Sequence, residues 1–174
     1  MSLSRLLSTF AAALSLAGSG CAARQAPPSP LEDRAAITEL YERFTAAASD
    51  HDWDALLALL AEDVSWKASA GALGFEHHGR PAVRTWLMGN EGKIEVLFYQ
   101  AGPPRLELVS PELARVQLSM TELLLLKETG EVKQLFGVYR DEVRKRAGRW
   151  LFATRSFQLR REVTLTPPKP PEAR

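Results

Sequence analysis

The sequence predicts an α+β domain, with three helices first and antiparallel strands after them. Three observations carry that reading. Ile37, Leu40, Tyr41, Phe44 and Ala48 recur at i, i+3, i+4, i+7 and i+11, one apolar stripe along a helix. From Ile94 onward the apolar residues alternate or run in short blocks, the spacing of strands. Residues 133–159, KQLFGVYRDEVRKRAGRWLFATRSFQL, read as two long antiparallel strands joined at Ala147–Gly148.

The 174 residues allow one domain with appendages, and 45% hydrophobic residues suffice for an ordinary core. Twenty-two basic against 21 acidic side chains leave no basic excess of the kind a nucleic-acid binder shows, so nucleic acid is not expected as a partner. The densest basic run, Arg144-Lys145-Arg146 with Arg149, flanks the hairpin turn and reads as a solvated turn.

Before the domain comes a leader. Arg5 is followed by an apolar run from Leu6 to Leu16, too short to span a bilayer, which takes ~20 residues. It ends in Ala17-Gly18-Ser19-Gly20-Cys21, small residues directly before the chain's only cysteine. This resembles the lipobox of bacterial lipoproteins, in which the cysteine is lipidated and becomes the new N-terminus. Gly18 stands where that motif prefers leucine. The reading is therefore a signal peptide over 1–20, lipidation at Cys21, and an exported protein held at the membrane of the cell envelope, facing the periplasm in a Gram-negative cell. An ordinary signal peptide with an incidental Cys21 is the alternative. Removing 1–20 leaves 21 charges of each sign, so attachment would rest on acyl chains. Residues 21–30 are a tether whose prolines at 27, 28 and 30 favour extended chain and oppose a helix. Its reach is at most ~35 Å.

The first helix follows, with Glu32 and Asp33 suited to its positive end. Ser49-Asp50-His51-Asp52 breaks the pattern, and Asp52 is a plausible N-cap for a short helix beginning at Trp53. Residues 61–68 read as a strand with Val64 and Trp66 on one face. Residues 70–78, AGALGFEHH, read as a glycine-rich, mobile loop. Pro81 suits the start of a third helix, with Val83, Trp86 and Leu87 on its buried face and Gly89-Asn90 at its end. Strands are expected at 94–101, 105–109 and 113–127, then the hairpin. Leu123 to Leu126 is continuously apolar, as on a strand covered on both faces or at an oligomer contact, which makes a homodimer through the sheet possible. The domain is placed at 31–161 and a proline-rich, disordered tail at 162–174.

Three of these stretches carry a resemblance. Gly137-x-Tyr139-x-Asp141, a basic turn, Gly148-x-Trp150 and Arg155 five residues after the Trp resemble the last hairpin of the SnoaL-like family, in the nuclear transport factor 2-like superfamily. DWDALLALLAEDVSW at 52–66 and GRPAVRTWL at 79–87 are similar to that family's second helix and first strand, and to its third helix. The resemblance covers Leu31 to Arg161. It implies a strongly curved sheet wrapped around the helices, a cone with a pocket inside. It also implies no cofactor. Relatives include ketosteroid isomerases, scytalone dehydratase, polyketide cyclases and epoxide hydrolases, which place an Asp or His base in an apolar cone with a Tyr or protonated acid to hold oxyanion charge.

Within that frame the candidate base is His77 or His78. Adjacent residues in extended chain point opposite ways, so at most one faces the pocket. The candidate hydrogen-bond donor is Tyr41 or Tyr139. Phe44, Trp53, Trp66, Trp86 and Tyr99 are expected to line the pocket, and the loop 70–78 to gate its mouth. Asp141 and Arg155 read as a structural bridge, diagonal to one another if the turn has two residues. Asp50, Asp52 and Asp54 read as capping and solvated groups. No His spacing suits a metal, so none is expected. Two functions stay open: an exported domain binding a small apolar ligand or partner in its cone, and a cofactor-free lyase or isomerase.

Overall fold

The structure is a computed structural model, and it describes residues 29–165. Helix α1 spans Pro30–Ser49 and α2 spans Trp53–Ala58. Strand β1 (Leu60–Ser69), a single 3-10 turn (Gly71–Leu73) and strand β2 (Phe75–His78) lead into helix α3 (Arg80–Asn90). Five strands follow: β3 (Ile94–Ala101), β4 (Arg105–Ser110), β5 (Leu113–Leu126), β6 (Glu131–Arg146) and β7 (Arg149–Leu165). This is the expected α+β order, with three helices and a curved, mostly antiparallel sheet.

Local chemistry sets the helix starts. Ser29 caps α1 in a capping box with Glu32, and Asp52 accepts from the Ala55 N–H to cap α2. Pro30 is the first residue of α1, so the expected tether stops short of it. A proline there loses nothing, because the first N–H of a helix has no partner within it. The apolar stripe Ile37, Leu40, Tyr41, Phe44 and Ala48 is buried throughout. Each large side chain fully removed from water contributes about 1.5–3 kcal/mol.

The seven strands form one sheet in the order β2-β1-β7-β6-β5-β3, with β4 also on β5. Among the described residues only the β1–β7 pairing is parallel. Strands β3 and β4 lie end to end along β5, beside Met120–Leu126 and Leu113–Gln117 respectively. Register shifts interrupt β3 at Leu97 and β7 at Ala153 and Arg160. Such bulges bend the strands that carry them, and here they curl the sheet around the helices. Ile37, Leu56, Leu60, Val64, Val83, Val143 and Phe152 are fully buried between helices and sheet.

Ala147 and Gly148 both have positive φ, as a two-residue hairpin turn requires. The basic residues around that turn are docked rather than simply solvated. Lys145 and the Trp150 indole both donate to Asp33 at the start of α1, Arg146 pairs with Asp63 at 3.0 Å, and Arg144 lies 3.5 Å from Glu142. Burial works against the Asp33 charge, but those two donors and the Lys145 charge outweigh it and hold the carboxyl below its ordinary range.

Two further expectations are corrected. Residues 75–78 of the presumed loop form a strand, because alternating Phe75 and His77 pack inward while their backbone pairs with β1. Strand β7 continues to Leu165, with Glu162–Leu165 paired to Val132–Leu135, so the tail begins later than 162. The leader, Cys21 and 166–174 lie outside the described residues. Among the described residues no helix is long and apolar enough to cross a membrane. The outer face of the sheet leaves Phe98 and Leu165 substantially exposed, beside half-buried Leu123, Leu125 and Phe136.

Candidate functional site

A cavity of about 320 Å³ opens between the helices and the concave face of the sheet. Phe44, Trp53, Trp66, Trp86 and Tyr99 all lie in its wall, together with Phe75, Tyr139, Phe157, Met120 and Glu122. The aromatic rings brace one another. Trp66 meets Trp86 edge-on with centroids 5.8 Å apart, and Phe75 lies 4.1 Å from Trp86. Such pairs add about 0.5–1.5 kcal/mol each beyond burial, which helps keep an apolar cavity open.

Beneath the cavity lies a charged cluster. The spacing Gly137, Tyr139, Asp141, Val143 puts all four on the inner face of β6, and Tyr139, Asp141 and Val143 are each at most 5% exposed. Asp141 faces Arg155 directly across the ladder, because the bulge at Ala153 shifts β7 by one residue. The diagonal placement expected from a two-residue turn fails for that reason. The Arg155 Nε lies 3.4 Å from Asp141 Oδ2, and the same oxygen accepts the Tyr41 hydroxyl at 2.8 Å. Arg155 is fully buried, and none of its nitrogens makes a well-formed hydrogen bond within the described residues. Its guanidinium is instead boxed by rings, 3.9 Å from the Phe44 centroid, 4.2 Å from Tyr139 and 4.4 Å from Phe152. Aromatic faces attract a desolvated cation and replace part of what water would supply.

The electrostatics follow from that burial. It disfavours the Arg155 charge, yet Asp141 and the surrounding tyrosines keep the guanidinium firmly protonated. Burial pushes the Asp141 carboxyl up from its ordinary range, while Arg155 and the Tyr41 hydroxyl pull it back. Burial lifts the Tyr99 phenol to about 12 and also raises Tyr41 and Tyr139, so all three are neutral at pH 7.

The histidines stand apart. His78 points outward beside Glu76, 3.2 Å away, with a largely exposed side chain. His77 packs on the inner side behind Phe75 and Trp86, with ring centroids 5.4 Å from each. It contributes nothing to the cavity wall and meets neither Tyr41 nor Tyr139, so the expected imidazole–tyrosine pair is not assembled. Burial, and then the neighbouring His78, lower its pKa. Tyr41 is likewise absent from the wall, its hydroxyl being committed to Asp141.

Glu122 is the residue that sequence reasoning missed. It sits on β5 on the same face as Val116, Leu118, Met120 and Leu124, opposite Tyr99 on β3 and Leu135 on β6. The half-buried residue borders the cavity, and its carboxyl takes part in none of the side-chain hydrogen bonds or ion pairs among the described residues. Burial raises its pKa to about 7, with Arg155 acting in the opposite direction. The signal was present in the sequence: a lone acid on an otherwise apolar alternating face.

With the fold and cavity in place, comparison with known proteins is informative. Residues 29–156 match the SnoaL-like domain, and the chain belongs to that family. No curated protein matches. Among solved structures, a type 2 hexachlorocyclohexane dehydrochlorinase (LinA) superposes with a TM-score of 0.71 at 21% identity, over 82% of this chain and 97% of that one. The type 3 enzyme from Novosphingobium barchaimii gives 0.64 at 21% identity, over 79% and 97%. A ketosteroid isomerase-like protein from Erwinia carotovora atroseptica gives 0.64 at 17% identity, over 75% and 98%. At these identities the likeness is one of fold.

Proposed function

We propose that this is an exported, lipid-anchored SnoaL-like protein whose cone binds one small, largely apolar organic molecule. The carrying observation is the cavity itself. At about 320 Å³ it falls at the small end of ligand sites, and its wall is mainly apolar, rich in aromatic rings, with a few polar groups. The leader and the small residues before Cys21 support export and anchoring. The exposed apolar residues on the outer face of the sheet support pairing with a second copy there.

The cavity reading is tested with an environment-sensitive aromatic probe, followed by the fluorescence of Trp53, Trp66 and Trp86. Ala48 lines the wall from α1. Ala48→Phe should fill the space and weaken binding at least ~10-fold with the fold retained. Unchanged affinity would remove the cavity from consideration. Anchoring is tested by mass spectrometry of the mature N-terminus and by membrane fractionation of Cys21→Ser. A free N-terminus elsewhere and unaltered fractionation would dispose of it.

A second reading, a cofactor-free lyase or isomerase of the dehydratase, ketosteroid-isomerase or polyketide-cyclase kind, has one observation in its favour. A carboxyl titrating near neutrality beside a neutral phenol suits proton transfer from carbon. Here that carboxyl is Glu122, beside Tyr99, rather than a histidine. Turnover of a bound carbon acid, lost in Glu122→Gln with binding retained, would establish it.

A further inference from the structure

We propose that the cone selects a lipophilic amine, held as its ammonium ion by Glu122 and the aromatic wall. This rests on the reading of the cavity as a ligand site and names the chemical class of its occupant. Among the described residues the lining contains two carboxyl groups, Glu122 within and Glu91 at the rim, and no Lys, Arg or His. A site for an anion or a neutral hydrocarbon has no use for an unpartnered acid, which is costly to keep beside apolar walls. An ammonium ion supplies the missing counter-charge, and the faces of Trp66, Tyr99 and Tyr139 attract it further.

The interior already accommodates one cation in this way. Arg155 sits against the rings of Phe44, Tyr139 and Phe152 with a carboxylate beside it. Those same Phe44 and Tyr139 rings belong to the cavity wall, whereas Arg155 does not. Its charge is offset by Asp141 and covered by the rings, which limits its repulsion of an entering ammonium ion.

Binding is then linked to protons. The groups near Glu122 are Tyr99 from β3, Tyr139 from β6 and Arg155 from β7, with Glu91 at the rim, while Asp141 lies six residues further along β6 from Leu135, the partner of Glu122. The phenols stay neutral and Arg155 stays charged across pH 5–9, and Asp141, though raised by burial, is held by Arg155 and Tyr41 outside the cavity wall, so Glu122 is the titrating group that an entering cation meets. An ammonium ion entering below pH 7 displaces the Glu122 proton to solvent. Affinity should therefore rise with pH through about 7.

The experiment compares N,N-dimethylbenzylamine with its uncharged isostere isobutylbenzene by calorimetry at pH 5.5 and 8.5, on the purified protein and on Glu122→Gln. The amine should bind ~10-fold or more tightly than the hydrocarbon at pH 8.5 and lose that advantage at pH 5.5. Glu122→Gln should abolish the preference and still bind isobutylbenzene. If Glu122→Gln does not fold, calorimetry of the unaltered protein in two buffers of different ionisation enthalpy decides, because amine binding at pH 6 must release a proton. Equal affinity for the two molecules, or amine binding without proton release at pH 6, overturns the amine and leaves the cavity reading standing. Failure of both molecules to bind overturns the two together.

Discussion

Two acids on the inner face of the sheet have opposite circumstances. Asp141 lies under the cavity with Arg155 and Tyr41 as partners, closed off from solvent. Glu122, one strand away on β5, has no hydrogen-bond or ion-pair partner among the described residues and borders the open space. Both carboxyls are pushed up by burial and drawn back by the Arg155 charge, yet only Asp141 also has a side-chain hydrogen bond to support its charge. The difference separates scaffold from site. A buried charge that is paired holds the hairpin to helix α1, while an acid without a pair is available to a visitor.

The largest predicted effect concerns the paired cluster. Arg155→Met strands the Asp141 carboxyl and should cost ~3–5 kcal/mol in denaturant melts. Asp141→Asn should cost a similar amount by stranding the guanidinium. The double variant should cost clearly less than the sum, and simple additivity would show that the two do not interact.

Next comes Gly137, which joins the two regions. A Cβ there would fall 2.0 Å from the Phe157 ring, and Phe157 belongs to the cavity wall. Gly137→Ala should therefore cost ~1–3 kcal/mol and change probe affinity as Phe157 moves. A variant with unaltered melting and binding would refute that packing.

Glu122→Gln should act in the opposite sense. The carboxyl titrates at about 7 when folded against 4.5 ordinarily, so between those values the native state binds more protons than the unfolded chain. The native form is favoured below about 4.5, and that advantage is lost as pH rises through 7. Glu122→Gln should stabilise the protein by ~1–2 kcal/mol at pH 8, discounted for access from the cavity, and have little effect at pH 4. Equal effects at both values would contradict the assignment. The smallest effect is expected at His77, which packs behind the wall. His77→Ala should cost ~1 kcal/mol or less and leave probe affinity nearly unchanged. A large loss of binding would restore the histidine to the site.

Much of this arrangement is legible in the sequence, and the remainder fails for identifiable reasons. The stripe on α1, the cap at Asp52 and the hairpin turn depend on neighbours in the chain, so pattern alone finds them. The shared face of Tyr139 and Asp141 follows from strand periodicity. The pairing of Asp141 with Arg155 was visible, but its register was not, because one extra residue at Ala153 gives no compositional sign. Strand β2 was hidden because its four residues gain their structure from β1 rather than from their own preference. The histidines attracted attention by residue type, whereas their packing depends on how Phe75 and Trp86 meet in three dimensions. Glu122 was visible only as an irregularity in an apolar alternation. Its meaning needed the cavity that three helices and six strands build around it.

The most direct test of this separation is a pH titration of the carboxyl carbons by 13C NMR, with Glu122 assigned by its loss in Glu122→Gln. Glu122 should titrate near 7 in the free protein and shift downward when an amine is bound. A Glu122 midpoint near 4.5, unmoved by amine, would show that the acid in the cone is an ordinary solvated side chain with no part in a binding site.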